Sequence, residues 1–307
     1  MDNIIIRNLI SVLPKNSVKL NEPMKEHTTF RIGGNAEVMI FPESTEDIKN
    51  IIKIAKDGDI PVFILGNGSN LLVCDEGIEG IVIKLDSNFS SVRVEGNDVY
   101  AASGTHLSKI ANVCLENSLS GFEFASGIPG TLGGAIKMNA GAYGGEMKDV
   151  VESAECIDMK GNIFTLTKEE LDFSYRHSAI SDDIIVLSAH LRLNEGEKTS
   201  IKETMRDLNS RRKEKQPLEY PSAGSTFKRP EGYFAGKLIQ DSGLKGYTVG
   251  GAQVSEKHCG FVINKDSATF KDVMTLIQDV KNIVFDKFGV ELCEEVKIIK
   301  RKEEDVK

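Results

Sequence analysis

The spacing of hydrophobic positions changes period several times along the chain. Runs at 36–41 (AEVMIF), 61–65 (PVFIL), 79–85 (EGIVIKL), 91–95 and 98–102 are continuous or alternating, which predicts strands. Between the first two, Ile48, Ile51, Ile52 and Ala55 recur at helical spacing behind Ser44 and Asp47, which stand at capping-box separation. A helix is therefore predicted from Ser44. A second, over 105–117, sets Leu107, Ile110, Ala111 and Cys114 on one stripe. Farther on, the pattern predicts a hairpin over 150–167 turning at Lys160-Gly161-Asn162, a strand over 183–193 and a charged helix closed by Pro217. A loop over 220–230, a short helix over 233–242, an amphipathic helix over 270–288 and a strand over 290–299 complete the reading. Few strands precede helices in regular βαβ order, so an α+β fold is expected rather than a doubly wound sheet. The shift to charged residues near 196 divides the chain into predicted domains 1–197 and 198–307.

Composition narrows the function. At 307 residues and 40% hydrophobic, the chain can build real cores without staples. Its net charge is −8 and no broad basic face is evident, so nucleic acid is not an expected partner. Five cysteines (74, 114, 156, 259, 293) form no C-x-x-C pair; reduced thiols and no metal site are expected. The segment "MDNIIIRNLISVLPKNSV" has no leader pattern, and no apolar run approaches the roughly 18 residues of a membrane span. A soluble, cytoplasmic protein is expected. The basic cluster "SRRKEK" at 210–215 ends a predicted helix, where cations meet the helix dipole favourably.

Two glycine-rich segments carry the chemistry. In "GIPGTLGGAIKMNAGAYGG", 127–145, seven of nineteen residues are glycine, yet no Lys-Ser or Lys-Thr comes after them as a Walker loop requires, and no strand-led G-x-G-x-x-G is present. In "FILGNGSNLLV", 63–73, an apolar strand leads into Gly66, Asn67, Gly68, Ser69 and Asn70, and the next residues, Leu71, Leu72 and Val73, are apolar and β-like. Such a turn is either a tight hairpin or an anion-binding nest that holds a diphosphate without lysine. Two such segments on one predicted domain suggest a dinucleotide lying between them.

The motifs "GNGSNLLV", "SGIPGTLGGAIKMNAGAYGGE", "FSYRHS", "SAGSTFKRP", "AGKLIQDSGLKGYTVGGAQVSEKH" and "LCEEV" stand in the order found in UDP-N-acetylenolpyruvoylglucosamine reductases, and the chain resembles that family from about Thr29 to Val296. The resemblance implies an FAD-binding domain of the vanillyl-alcohol-oxidase type and a smaller C-terminal α+β substrate-binding domain. It also implies non-covalent FAD, NADPH as hydride donor and a UDP-sugar substrate; a monomer is expected. FAD contacts are expected from Gly66, Asn67, Gly68, Ser69 and Asn70, and from Gly127, Gly130, Thr131, Gly133, Gly134, Ala140 and Gly141. Arg176 matches the family's active-site arginine, Ser225 its proton donor and Glu295 its catalytic carboxylate, with Glu294 the bystander. Tyr175, Lys215, Arg229 and His258 fall at substrate-binding positions, although some members carry asparagine where Arg229 stands. Cys293 replaces a residue that is charged or polar in many members. The short interval between Arg176 and Ser225 resembles the shorter, type II form. Two other readings stand beside this one. One is an FAD-linked oxidase of the same fold, which would recruit His106; the other is a sugar-nucleotide sensor, which would have no need of a proton donor.

Overall fold

A computed structural model describes residues 1–301 and opens with a helix that periodicity alone did not reveal, α1 (Asn3–Val12), capped by the Asp2 carboxylate. The helix predicted from Ser44 is α2 (Thr45–Asp57). Ser44 Oγ accepts the Asp47 N–H, and the Asp47 carboxylate accepts the Ser44 N–H at 3.0 Å, closing the capping box. The predicted stripe over 105–117 forms α3 (Leu107–Glu116).

The glycine-rich segment is not wholly a loop. Its Leu132–Lys137 stretch forms a short helix, α4, because Leu132, Ala135 and Ile136 are buried together and their burial outweighs the helix penalty of two glycines, about 1 kcal/mol each. The charged helix is α5 (Lys198–Lys215).

Strands Ile163–Thr167, Val151–Asp158, Ile184–Arg192, Asp98–Ala102 and Val92–Glu95 form an antiparallel sheet in that order. A four-stranded sheet runs Val18–Pro23, Asn35–Ile40, Ile78–Lys84, Val62–Leu65, the last pair parallel.

The chain divides into two compact units. The first comprises 1–20, 38–67 and 80–212; the second comprises 21–37, 68–79 and the residues from 213 onward. The first unit holds two cores. One packs α1 and α2 through Leu9, Ile48, Ile51 and Ile52 against Val38, Ile81 and Ile83. The other gathers α3, α4 and the antiparallel sheet, and α5 contributes Ile201 and Met205 to it. This explains why the first unit runs to Arg212 rather than stopping at the compositional shift near 196.

In the second unit, helices α6 (Ala235–Asp241) and α7 (Phe270–Phe288) pack with a three-stranded sheet of Thr248–Val249, Ala252–Val254 and Val262–Asn264. Thr269 and Asp272 form the capping box of α7, and Gly289 ends it in the left-handed conformation. Val273, Ile277, Val280 and Val284 line its buried stripe, and Phe30, Ile32 and Leu72 from early in the sequence join this core. The strand predicted over 290–299 is shorter. Only Lys297–Ile299 is a strand, pairing in parallel with Leu71–Val73, whereas Glu295 turns its N–H to the Thr226 carbonyl. Residues 302–307 of the predicted second domain lie outside the described residues.

Candidate functional site

In the first unit the two glycine-rich segments meet. Asn67 Nδ2 donates to the Pro129 carbonyl at 3.1 Å, and a Cβ on Gly66 would stand 2.4 Å from Thr131 Oγ1. Backbone bonds from Leu107 to Gly130, Leu132 to Thr105 and Gly133 to Ser103 fix the entry to α4 against the start of α3. Next to the turn lies a residue that sequence reasoning missed. Lys84 is buried, its Nζ donating to the Gly66 carbonyl at 3.1 Å and standing 3.4 Å from Asp86 Oδ2. Burial pushes the Lys84 ammonium below its ordinary pKa, opposed by Asp86. Burial disfavours the charge of Asp86 as well, but Lys84, the Ser87 N–H and His106 together hold that carboxyl below its usual range. His106 Nε2 lies 3.2 Å from Asp86 Oδ1. The signal for Lys84 was a single cation inside the apolar run GIVIKL.

The glycines do not all answer to a cofactor. A Cβ on Gly133 would stand 2.9 Å from Ser103 Cβ, one on Gly127 2.4 Å from Asn209 Oδ1, and one on Gly141 2.7 Å from the Gly145 carbonyl. Ser103 Cβ and the Gly145 carbonyl leave no room at Gly133 and Gly141, whereas at Gly127 only the end of the Asn209 side chain would have to move. Gly134 is different, since its Cβ would meet nothing nearer than Thr131 Oγ1 at 3.8 Å and the residue is exposed. Ser103 Oγ, beside Gly133, is buried without a hydrogen-bond partner among the described residues. An open helical backbone at Gly134 and an unsatisfied hydroxyl nearby fit a polar, backbone-contacting ligand such as a diphosphate.

Arg176 also belongs to the first unit. It sits in a tight turn in which Ser174 and His177 exchange backbone bonds of 3.1 Å each. Its φ is +57°, a conformation that costs a non-glycine residue about 1–2 kcal/mol. Its Nη2 donates to the Gly141 carbonyl at 3.4 Å, one residue past Ala140, whose carbonyl accepts the Met147 N–H. The exposed Tyr175 ring lies 5.1 Å from the same guanidinium.

The second unit holds the other two candidate catalytic residues. The Glu295 N–H donates to the Thr226 carbonyl at 2.8 Å, the Lys228 N–H to the Cys293 carbonyl at 2.8 Å, and Phe227 bridges to Glu294. Ser225 therefore stands at the end of a short ladder that also carries Glu295. Glu294 is committed elsewhere, to Lys281 at 2.9 Å. Asn70 joins this cluster, donating from Nδ2 to the Glu295 carbonyl at 3.1 Å and accepting the Lys297 N–H at 2.9 Å. Just before Ser69, Gly68 has φ +63°, and a Cβ there would stand 2.1 Å from the His27 carbonyl. Its own neighbours demand glycine. Lys215 is exposed at the end of α5, Arg229 lies over the Phe234 ring at 4.0 Å, and Cys293 is exposed. His258 Nδ1 accepts the Gly260 N–H at 3.1 Å and its ring meets Phe261 edge-on; although the residue is exposed to solvent, desolvation against these neighbours pushes its pKa down.

The first unit's architecture and its glycine cradle define an FAD-binding domain, and a model of the FAD binding domain matches residues 36–167. An alkyldihydroxyacetonephosphate synthase shares that fold, with a TM-score of 0.50 at 14% identity over 64% of this chain and 41% of its own. Residues 216–299 match the C-terminal domain of UDP-N-acetylenolpyruvoylglucosamine reductase. The reductase of that name from Caldanaerobacter subterraneus subsp. tengcongensis is 56% identical over 98% of this chain and 100% of its own length. The crystal structure of the Thermus caldophilus enzyme has a TM-score of 0.80 at 36% identity, covering 92% of this chain and 98% of that one. The chain belongs to the UDP-N-acetylenolpyruvoylglucosamine reductase family.

Proposed function

We infer that the protein reduces the enolpyruvyl group of UDP-N-acetyl-3-O-(1-carboxyvinyl)glucosamine to UDP-N-acetylmuramate, using FAD and NADPH, in peptidoglycan synthesis. Bound FAD would supply the hydride for the terminal carbon of the enolpyruvyl ether. Charge then develops beside the carboxylate, which calls for a cation there and a proton at the adjacent carbon. Arg176 is assigned the carboxylate, because its planar fork binds both oxygens and holds the enolate charge. Ser225 gives the proton, and Glu295 polarises that donor. Lys215 lowers the cost of the alkoxide left behind; Tyr175, Arg229 and His258 are assigned to the nucleotide sugar. Gly134 and the Gly66–Asn67 turn are assigned to the diphosphate of FAD, with Ser69 and Asn70 as further contacts.

The ladder joining residues 226–228 to 293–296 supports this reading, since it ties the backbone next to Ser225 to the backbone of Glu295. No helix among the described residues is long and apolar enough to cross a membrane. A cytoplasmic monomer is proposed on the family resemblance alone.

Stopped-flow measurement of the two half-reactions tests the assignment. Flavin reduction by NADPH needs no proton donor for the substrate carbon, so Ser225→Ala should leave it within about twofold of wild type. Reoxidation by substrate should fall about 10²- to 10⁴-fold, the usual loss for a positioned general acid. A variant slowed in the NADPH half and normal in the substrate half removes Ser225 from this role.

A further inference from the structure

Arg176 holds a backbone conformation it would not choose, and one neighbour accounts for its persistence. Asn139 has no exposed surface and is itself left-handed, with φ +41°. Its amide is used on three sides. Nδ2 donates to the Ser174 carbonyl at 2.9 Å and to Glu146 Oε2 at 2.9 Å, while Oδ1 accepts the Lys148 N–H at 3.0 Å. Ser174 opens the turn that carries Arg176. Glu146 pairs across a two-residue ladder with Gly141, the residue whose carbonyl accepts from Arg176 Nη2. Ser178, closing the other side of the turn, donates from Oγ to the Lys137 carbonyl at 3.0 Å. The strained turn is thus fastened to the 137–141 segment at both ends and by the guanidinium itself.

We propose that Asn139, with Glu146 as its partner, is a positioning residue for Arg176. Its amide fixes the height and orientation of the turn, so that the guanidinium is aimed before substrate arrives. The proposal rests on the assignment of Arg176 to the substrate carboxylate. Only an amide of this length meets the need, since both N–H groups and the oxygen are used at once. Asn139 also belongs to the few residue types that tolerate a left-handed backbone. Aspartate keeps the shape and that tolerance but cannot donate to the Ser174 carbonyl, and it would face the Glu146 carboxylate.

The test is a double-mutant cycle on substrate-driven flavin reoxidation, using Asn139→Asp, Arg176→Ala and the double variant, each checked for bound FAD. Asn139→Asp should slow this half-reaction about 10- to 100-fold, the scale expected of an ångström-sized misplacement, and leave NADPH-driven reduction within about twofold. In the Arg176→Ala background the same substitution should have almost no further effect, because the group it positions is gone. Full additivity overturns the proposal, as does an Asn139→Asp enzyme with a wild-type substrate half-reaction. Arg176→Ala at wild-type rates would instead overturn the assignment of Arg176, a separate outcome. Should Asn139→Asp fail to fold, Glu146→Gln replaces it in the cycle. It keeps an acceptor for Asn139 but loses the charge, with an expected three- to tenfold loss that vanishes in the Arg176→Ala background; a loss that persists there refutes the proposal.

Discussion

Replacing Gly134 with alanine should produce two effects of opposite sign. The residue lies in the first turn of α4, its backbone is exposed, and the new methyl would meet only Thr131 Oγ1 at 3.8 Å. Without cofactor, nothing opposes the helical preference of alanine, worth about 0.5–1 kcal/mol at an interior position and somewhat less this near the helix end. The apoprotein should therefore unfold at a temperature up to about 2–4 °C higher, the shift that 1 kcal/mol produces in domains of this size. With cofactor, the methyl stands where the diphosphate would approach the backbone, so FAD should dissociate at least tenfold more readily, about 1.4 kcal/mol. Gly68→Ala serves as the contrast. Its Cβ would collide with the His27 carbonyl at 2.1 Å in a left-handed conformation, so it should destabilise the second unit by about 2 kcal/mol or more whether or not FAD is present. Differential scanning calorimetry of the apoproteins and fluorescence titration with FAD separate the two effects. If Gly134→Ala gains stability and binds FAD as wild type does, the diphosphate does not approach α4 and the cradle has been assigned wrongly.

Lys84→Met removes the ammonium from the Gly66 carbonyl and from Asp86, leaving a part-buried acceptor without this donor; a loss of about 1 kcal/mol in urea unfolding is expected, and equal stability would show that the lysine is idle. His258 gives a pH dependence. Because burial lowers its folded-state pKa, the stability of its neutral form is fully present above the ordinary value of about 6.5 and is lost as pH falls through the lowered one. His258 is nonetheless exposed to solvent, which screens the effect, so wild-type unfolding free energy should decline only slightly more steeply from pH 7 to 5 than that of His258→Asn, and a wild-type decline shallower than the variant's would contradict the lowered pKa.

Elements whose signals are local were readable. Ser44 and Asp47 announced α2, the apolar stripe announced α7, and Lys160-Gly161-Asn162 marked the hairpin between Val151–Asp158 and Ile163–Thr167. What escaped depends on distant partners. The α4 segment reads as loop because glycine propensity opposes it, and only the burial of Leu132 and Ile136 in a shared core makes it helical. Residues 290–296 look like strand, yet Cys293, Glu295 and Val296 direct their backbone bonds to 226–228. Within the site, the glycine motifs stood out in the sequence, but what each glycine packs against did not. Gly68 and Gly133 satisfy protein neighbours, and Asn139, an ordinary letter in KMNAGAY, shows its use only once Ser174 and Glu146 are folded around it.

The parallel pairing of Leu71–Val73 with Lys297–Ile299 sets a timetable for the nascent chain. Asn70 bonds to a residue 225 positions later, so at roughly 5–20 residues per second the ribosome needs about 10–45 s to deliver that partner. Throughout that interval Leu72, Phe30 and Ile32 have no core to enter, while the first unit's helices and antiparallel sheet can already close. The molecule is thus synthesised with part of its second unit held in waiting near the amino terminus. A chain released before Val296 would carry that apolar surface uncovered, a natural target for chaperones and quality-control proteases.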